Sequence, residues 1–215
     1  VLTDLYHYFV GEKMEVYFEK TMGEDFKKFS SVSAVKILEA AILKYHQDLA
    51  LRTLFSVDIL KKLNIDFENN FEDSKEEYVS VGLLTKITSK PACFIHNSFA
   101  EYFAALYFSQ NQRLSSIFVD VIFEPRYLNV RFFFDLLLAK ESPPHVAVLY
   151  KNVNILKNYE KQIRTSTDSA ERSVLHVASS WGQIHPRLNV TTTAGAYIVD
   201  DSGCPSVEVE KQENV

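Results

Sequence analysis

Apolar residues recur at helical spacing through the first segment. Leu2, Leu5, Tyr6, Phe9, Val16 and Tyr17 define one face, with Glu12, Lys13, Glu15, Glu19 and Lys20 opposite. Asp4 suits the helix N-terminus, where the backbone dipole favours an acid, and Gly23 ends the pattern. A stronger stripe of Val35, Leu38, Ala41, Ile42, Tyr45 and Leu49 predicts a second helix over 34–55, with Ser33 as its cap. Ser56 then starts a short helix carrying Ile59, Leu60 and Leu63. Over 66–77 six acids stand against Lys75 alone, which predicts a solvated loop.

The period then shortens. Val79, Val81 and Leu83 alternate with Ser80 and Gly82, and Leu84 and Ile87 lead to Ser89-Lys90-Pro91, after which Cys93-Phe94-Ile95 follows. Two short β-like runs about a polar, Pro-containing turn predict a hairpin. Asn97-Ser98 opens a helix, and Ser98 followed three residues on by Glu101 has the spacing of a capping box. Helices with a two-stranded wing inserted among them describe a winged-helix module. Residues 94–134 hold 12 of the 28 aromatics, a density that belongs to a buried core or a packed helix interface. A further helix is expected over 126–140. Pro143-Pro144 separates it from another over 145–163, on which Val146, Leu149, Tyr150, Val153 and Leu156 share one side. The fold class expected is therefore mainly α, a winged-helix module with a small β-hairpin followed by a helical array. Residues 165–172 read as a polar linker, and 191–215 as a mostly disordered tail.

Composition narrows the field without naming a task. The 215 residues, 47% hydrophobic, suffice for a core, and the net charge of −5 argues against a dedicated nucleic-acid binder. The run 132–139 is too short for a membrane span, and Cys93 and Cys204 have no partner spacing. The chain opens on Val1, not Met, so a piece of a longer protein is expected. The six glycines never form a phosphate-cradling loop, and neither HExxH nor GxSxG occurs, so no enzymatic activity is expected of this chain alone. Its histidines are scattered without ligand spacing. His96 stands apart, at the end of an apolar run and just before a helix N-terminus. Two roles fit that place: a local cap or core hydrogen bond, or a donor to an anion such as phosphate.

The run Phe94-Ile95-His96-Asn97-Ser98-Phe99-Ala100-Glu101-Tyr102-Phe103-Ala104-Ala105 resembles the F-x-H-x-S/T-F-x-E-F/Y-x-A-A signature. That signature belongs to the winged-helix part of NACHT-type signal-transduction NTPases, the family of NOD-like receptors and their invertebrate relatives. Leu5-Tyr6-x-x-Phe9-Val10-x-x-Lys13 and Leu51-x-x-Leu54-Phe55 are similar to the helices between nucleotide-binding core and wing in arthropod members. The resemblance covers residues 1–140. After the linker, Ser173-Val174-Leu175-His176-Val177-Ala178-Ser179-Ser180-Trp181-Gly182 resembles the opening helix of an ankyrin repeat, T-P-L-H-x-A-A-x-x-G, with Val174 in place of Pro and Ser179 in place of the second Ala. His176 is then a hydrogen-bonding residue of the repeat, not a ligand. Pro186 falls where the second helix should run, so one repeat is not completed.

The resemblance implies a division into a leading helical segment (1–64), the wing and motif helix (78–112), a helical region (113–163), a linker with a partial ankyrin-like repeat (164–190) and the tail (191–215). It implies that His96 contacts the terminal phosphate of ADP in the resting state, with ADP or ATP held by an upstream nucleotide-binding domain and no cofactor or metal bound by this chain alone. Expected partners are that domain and proteins docking on the helical and ankyrin-like region. A membrane or nucleic-acid partner is not expected. The parent protein would be cytoplasmic and able to oligomerise on activation. Two other readings remain, a helical interaction scaffold and a DNA-binding winged helix. The second is weakened because Phe99-Ala100-Glu101-Tyr102-Phe103 is acidic and aromatic where a groove-reading helix carries Arg or Lys.

Overall fold

The computed structural model describes residues 1–23, 33–65, 76–85, 93–111, 121–182, 198–199 and 205–206. The chain is mainly helical with a small two-stranded antiparallel sheet. Helices α1 (Leu2–Met22), α2 (Ser33–Leu54) and α3 (Val57–Lys62) come first, followed by a single helical turn, α4 (Glu76–Val79). Strands β1 (Leu84–Thr85) and β2 (Cys93–Phe94) pair in antiparallel register, Leu84 opposite Phe94. Then follow α5 (Asn97–Gln110), a 3-10 turn (Pro125–Tyr127), α6 (Leu128–Leu138), α7 (Pro143–Leu149), α8 (Val153–Asn158), α9 (Glu160–Ile163) and α10 (Val174–Ser180).

Helix α5 is the centre of the larger core. It lies against α2 on one side and α6 on the other. Ala100, Phe103, Ala104 and Ala105 are wholly buried, and Tyr102 and Phe108 nearly so. The small residues let neighbouring backbones approach, and the rings fill the space between. Burying one such ring contributes on the order of 2 kcal/mol. Helix α6 serves two cores. Val130, Phe133, Phe134 and Leu138 belong to the core that contains α5, whereas Leu136 joins Ala147, Val148, Leu156, Val174 and Val177 in a second cluster.

The expected elements are present, with corrections. The buried side of α1 is Thr3, Val10, Met14, Tyr17 and Phe18, while Leu5, Phe9 and Val16 are exposed, so the face is turned from the one expected. Thr3, Val10, Met14 and Tyr17 recur at helical spacing as faithfully as the anticipated set, and periodicity alone does not choose between two apolar stripes. Val79 and Val81 lie outside the hairpin: Val79 closes α4, and Gly82 turns the chain at φ 84. The ladder is extended beyond β2 by Ile95 N–H donating to the Leu83 carbonyl at 3.1 Å. The acidic stretch 66–75 lies outside the described residues, while Glu76 and Glu77 belong to α4.

The single helix expected over 145–163 is three short ones. Lys151 takes the left-handed φ of 54, and Asn152 caps α8 by accepting from Ile155 N–H at 3.1 Å. Pro143 and Pro144 open α7 instead of separating it from its neighbour, since the fixed φ suits a first turn whose N–H groups are unpaired anyway. The stretch read as a linker is a fastened turn. Thr167 bridges Ser173, and buried Asp168 accepts from the N–H groups of Ala170 (2.9 Å) and Arg172 (3.0 Å). In the tail, Ile198–Val199 and Pro205–Ser206 pair as a two-residue antiparallel ladder, where a mostly disordered segment was expected; its other residues lie outside those described.

Candidate functional site

The ladder of the hairpin delivers the chain to His96 in an extended conformation (φ −149, ψ 141), and α5 begins at the next residue. The capping box expected from Ser98 and Glu101 is replaced by a different cap. His96 is itself the N-cap, its Nδ1 accepting from Ser98 N–H at 3.2 Å. A ring nitrogen that accepts a backbone N–H carries no hydrogen, so the neutral imidazole bears its hydrogen on Nε2. Ser98 Oγ lies 2.6 Å from the same Nδ1, and Tyr6 Oη donates to Ser98 Oγ at 2.6 Å. The imidazole is exposed, not buried in hydrocarbon. With Nδ1 engaged toward the protein, Nε2–H is the donor left for an outward partner.

Glu101, expected to close the box, ties helices together instead. It accepts from Asn97 Nδ2 at 3.2 Å and from Asn129 Nδ2 of α6 at 3.1 Å. Tyr6 is held by rings on three sides, its centroid 5.1 Å from Phe99, 5.3 Å from Tyr102 and 4.9 Å from Phe133. Phe99 also meets Phe9 at 5.4 Å. The region around His96 thus combines a ring donor, a helix N-terminus and the adjoining Ile95, which is 43% exposed. A donor at a helix N-terminus is suited to a single anionic oxygen.

The other histidines do different work. His46 is wholly buried, donates from Nδ1 to the Ile42 carbonyl at 2.8 Å, and leaves Nε2 without a partner among the described residues. Burial pushes its pKa below the ordinary value, a shift only partly opposed by that hydrogen bond. His145, also wholly buried, bonds Ser142 Oγ at 2.6 Å and the Arg172 carbonyl at 2.9 Å, and burial again lowers its pKa. His176 completes a capping box with Ser173, its Nδ1 accepting from Ser173 N–H at 3.2 Å.

Sequence reading missed Tyr6 as part of the site, because its partner lies 92 residues away and a helical tyrosine reads as core. It also missed the charged knot at α6 and α10. Asp135, nearly buried, receives Arg172 Nη1 at 2.7 Å and Trp181 Nε1 at 2.7 Å, and Arg131 stacks over Trp181 at 4.3 Å while donating to the Ser180 carbonyl. The aspartate within an apolar helix was the available signal. Among the described residues no helix is long and apolar enough to cross a membrane, and no group of His, Cys, Asp and Glu is placed to hold a metal ion. Neither the protein-family models, nor the curated proteins, nor the solved structures contain a match to this chain.

Proposed function

We propose that this chain is the regulatory wing and helical region of a NACHT-type signalling NTPase, holding the resting state by contact with ADP bound on a separate nucleotide-binding domain. The observation that carries this reading is the cap at His96: Nδ1 is occupied by Ser98 N–H and the residue is exposed, which leaves Nε2–H as the ring donor available to a partner at the start of α5. The resemblance in residues 94–105 supplies the ligand, the terminal phosphate of ADP. His96 would donate to that phosphate, and the α5 N-terminus would favour its charge. ADP then holds wing and nucleotide domain together, and exchange for ATP shifts the balance only by its differential affinity for the closed and open arrangements. The Ser173–His176 box agrees with the hydrogen-bonding role an ankyrin-like start gives His176, and α10 would lead toward protein partners. A cytoplasmic location follows from the same reading.

The test is ADP release from the parent protein. His96→Asn keeps a side chain able to cap α5 while removing the imidazole donor. Losing a hydrogen bond to a charged group is worth about 1.5–3 kcal/mol, so release should quicken about tenfold or more with thermal stability nearly unchanged. Unchanged release would remove His96 from the ligand site. Tight binding of duplex DNA in low salt would instead favour the winged-helix DNA reading.

A further inference from the structure

Two hydrogen bonds link α1 to the imidazole that caps α5. Tyr6 Oη donates to Ser98 Oγ at 2.6 Å, and Ser98 Oγ lies 2.6 Å from His96 Nδ1. Each hydroxyl has one hydrogen to give. Tyr6 gives its own to Ser98, leaving the Ser98 hydrogen free to point at Nδ1, which the Ser98 N–H at 3.2 Å shows to be an acceptor. The three groups form one directional chain, Tyr6 to Ser98 to His96, ending in a hydrogen on Nε2. We infer that Tyr6 and Ser98 are positioning residues for His96: they fix its tautomer and aim, and through Tyr6 they make the outward donor sensitive to where α1 lies. What the donor contacts rests on the function proposed above; the relay itself does not.

The relay is built to hold. Hydrogen bonds in sequence polarise one another, so the second is stronger for the presence of the first. The Tyr6 ring has little freedom between Phe99, Tyr102 and Phe133. Exposure is confined to the far end, with His96 exposed and Ser98 and Tyr6 half-buried. In the other tautomer, Nδ1–H would donate to Ser98 Oγ and leave the Ser98 hydroxyl hydrogen without its partner. The same Nδ1–H would face Ser98 N–H, donor against donor, and Nε2 would present a lone pair to any anion. A displaced α1 withdraws the Tyr6 hydroxyl, loosens Ser98, and so weakens the preference for the donor form without any change at His96 itself.

The ring nitrogens of histidine report the tautomer directly in 15N NMR of the labelled 215-residue chain, the His96 signals being those lost in His96→Asn. The native ring is expected with Nδ1 at the position of an unprotonated nitrogen and Nε2 at that of a protonated one. Ser98→Ala should lower the ratio of Nε2–H to Nδ1–H forms about fivefold, the equivalent of one ordinary hydrogen bond. Tyr6→Phe should lower it less, in the same direction, and Ser98→Thr should retain the native ratio. A native ring with Nδ1 protonated would overturn the relay whatever the variants do, as would folded Tyr6→Phe and Ser98→Ala chains with native ring signals. If the tautomer responds but His96→Asn leaves ADP release unchanged, the relay stands and the ADP reading fails. If release quickens in His96→Asn while the tautomer ignores Tyr6 and Ser98, the relay alone fails.

Discussion

Arg172 Nη1 donates to Asp135 Oδ1 at 2.7 Å, joining the turn before α10 to the middle of α6 across 37 residues. The same guanidinium reaches Asp168 Oδ2 at 2.7 Å from Nη2, so one arginine serves two nearly buried carboxylates. Burial alone would lower the Arg172 pKa, but Asp135 and Asp168 together outweigh it and raise it. With Trp181 Nε1 on the other oxygen of Asp135, this knot fastens the supposed linker and α10 to the helical core.

Removing one member of such a group leaves the others buried without a partner, which costs more than the pair contributed. Asp135→Ala is expected to lower stability by about 3 kcal/mol, measured by urea unfolding. The loss should be accompanied by early exchange of amide hydrogens in 165–182. Uniform exchange across the chain would mean that the knot does not hold α10 locally.

His46 and His145 are buried with depressed pKa values, chiefly from desolvation. The unfolded chain, with histidine near about 6.5, binds protons that the folded chain refuses. Their contribution is complete above about pH 6.5 and is lost as pH falls below it toward their lower folded values. Each contributes a slope of up to about 1.4 kcal/mol per pH unit. Asp48, raised by burial, works in the opposite sense at lower pH. His46→Met should flatten the fall in stability between pH 6.5 and 5 by about one proton, read from unfolding at each pH. An unaltered slope would show that His46 titrates freely.

The helical class, the hairpin and the placement of His96 beside a helix start were legible, because periodicity, the turn residues and the capping pattern are local signals. The cap itself was misplaced by two residues. Ser98 and Glu101 have the spacing of a box, yet the preceding extended ladder runs as far as Ile95, so His96 is the residue at the boundary. The turned face of α1 was not legible because Leu5, Phe9 and Val16 form a stripe as regular as the buried one, and only α5 and α6 decide which is covered. The Tyr6 relay and the Asp135 knot join residues far apart in sequence, and no spacing rule finds such pairs.

The core of α5 and the rotated face of α1 make a contrasting pair of expectations. Phe103 is wholly buried beside His46, at 5.3 Å between ring centroids, so Phe103→Ala should cost about 3–5 kcal/mol. Leu5, 62% exposed, should tolerate Ala within about 0.5 kcal/mol. Equal losses in urea unfolding would contradict the orientation of α1.

Lys151 sits at a φ of 54 between α7 and α8. A left-handed conformation costs a residue with a Cβ about 1–2 kcal/mol, and glycine avoids most of that while giving up about 0.5–1 kcal/mol in chain entropy. Lys151→Gly should therefore raise stability by about 0.5–1 kcal/mol, seen as a small increase in Tm. A decrease would mean that the exposed lysine side chain contributes more than the turn costs.

An experimental structure of the proposed NTPase with ADP bound tests the contact between one nitrogen and one phosphate most directly. The account predicts His96 Nε2 within about 3 Å of an oxygen of the terminal phosphate, while Nδ1 keeps its bond to Ser98. A ring turned away, with the phosphate held entirely by other residues, would contradict it.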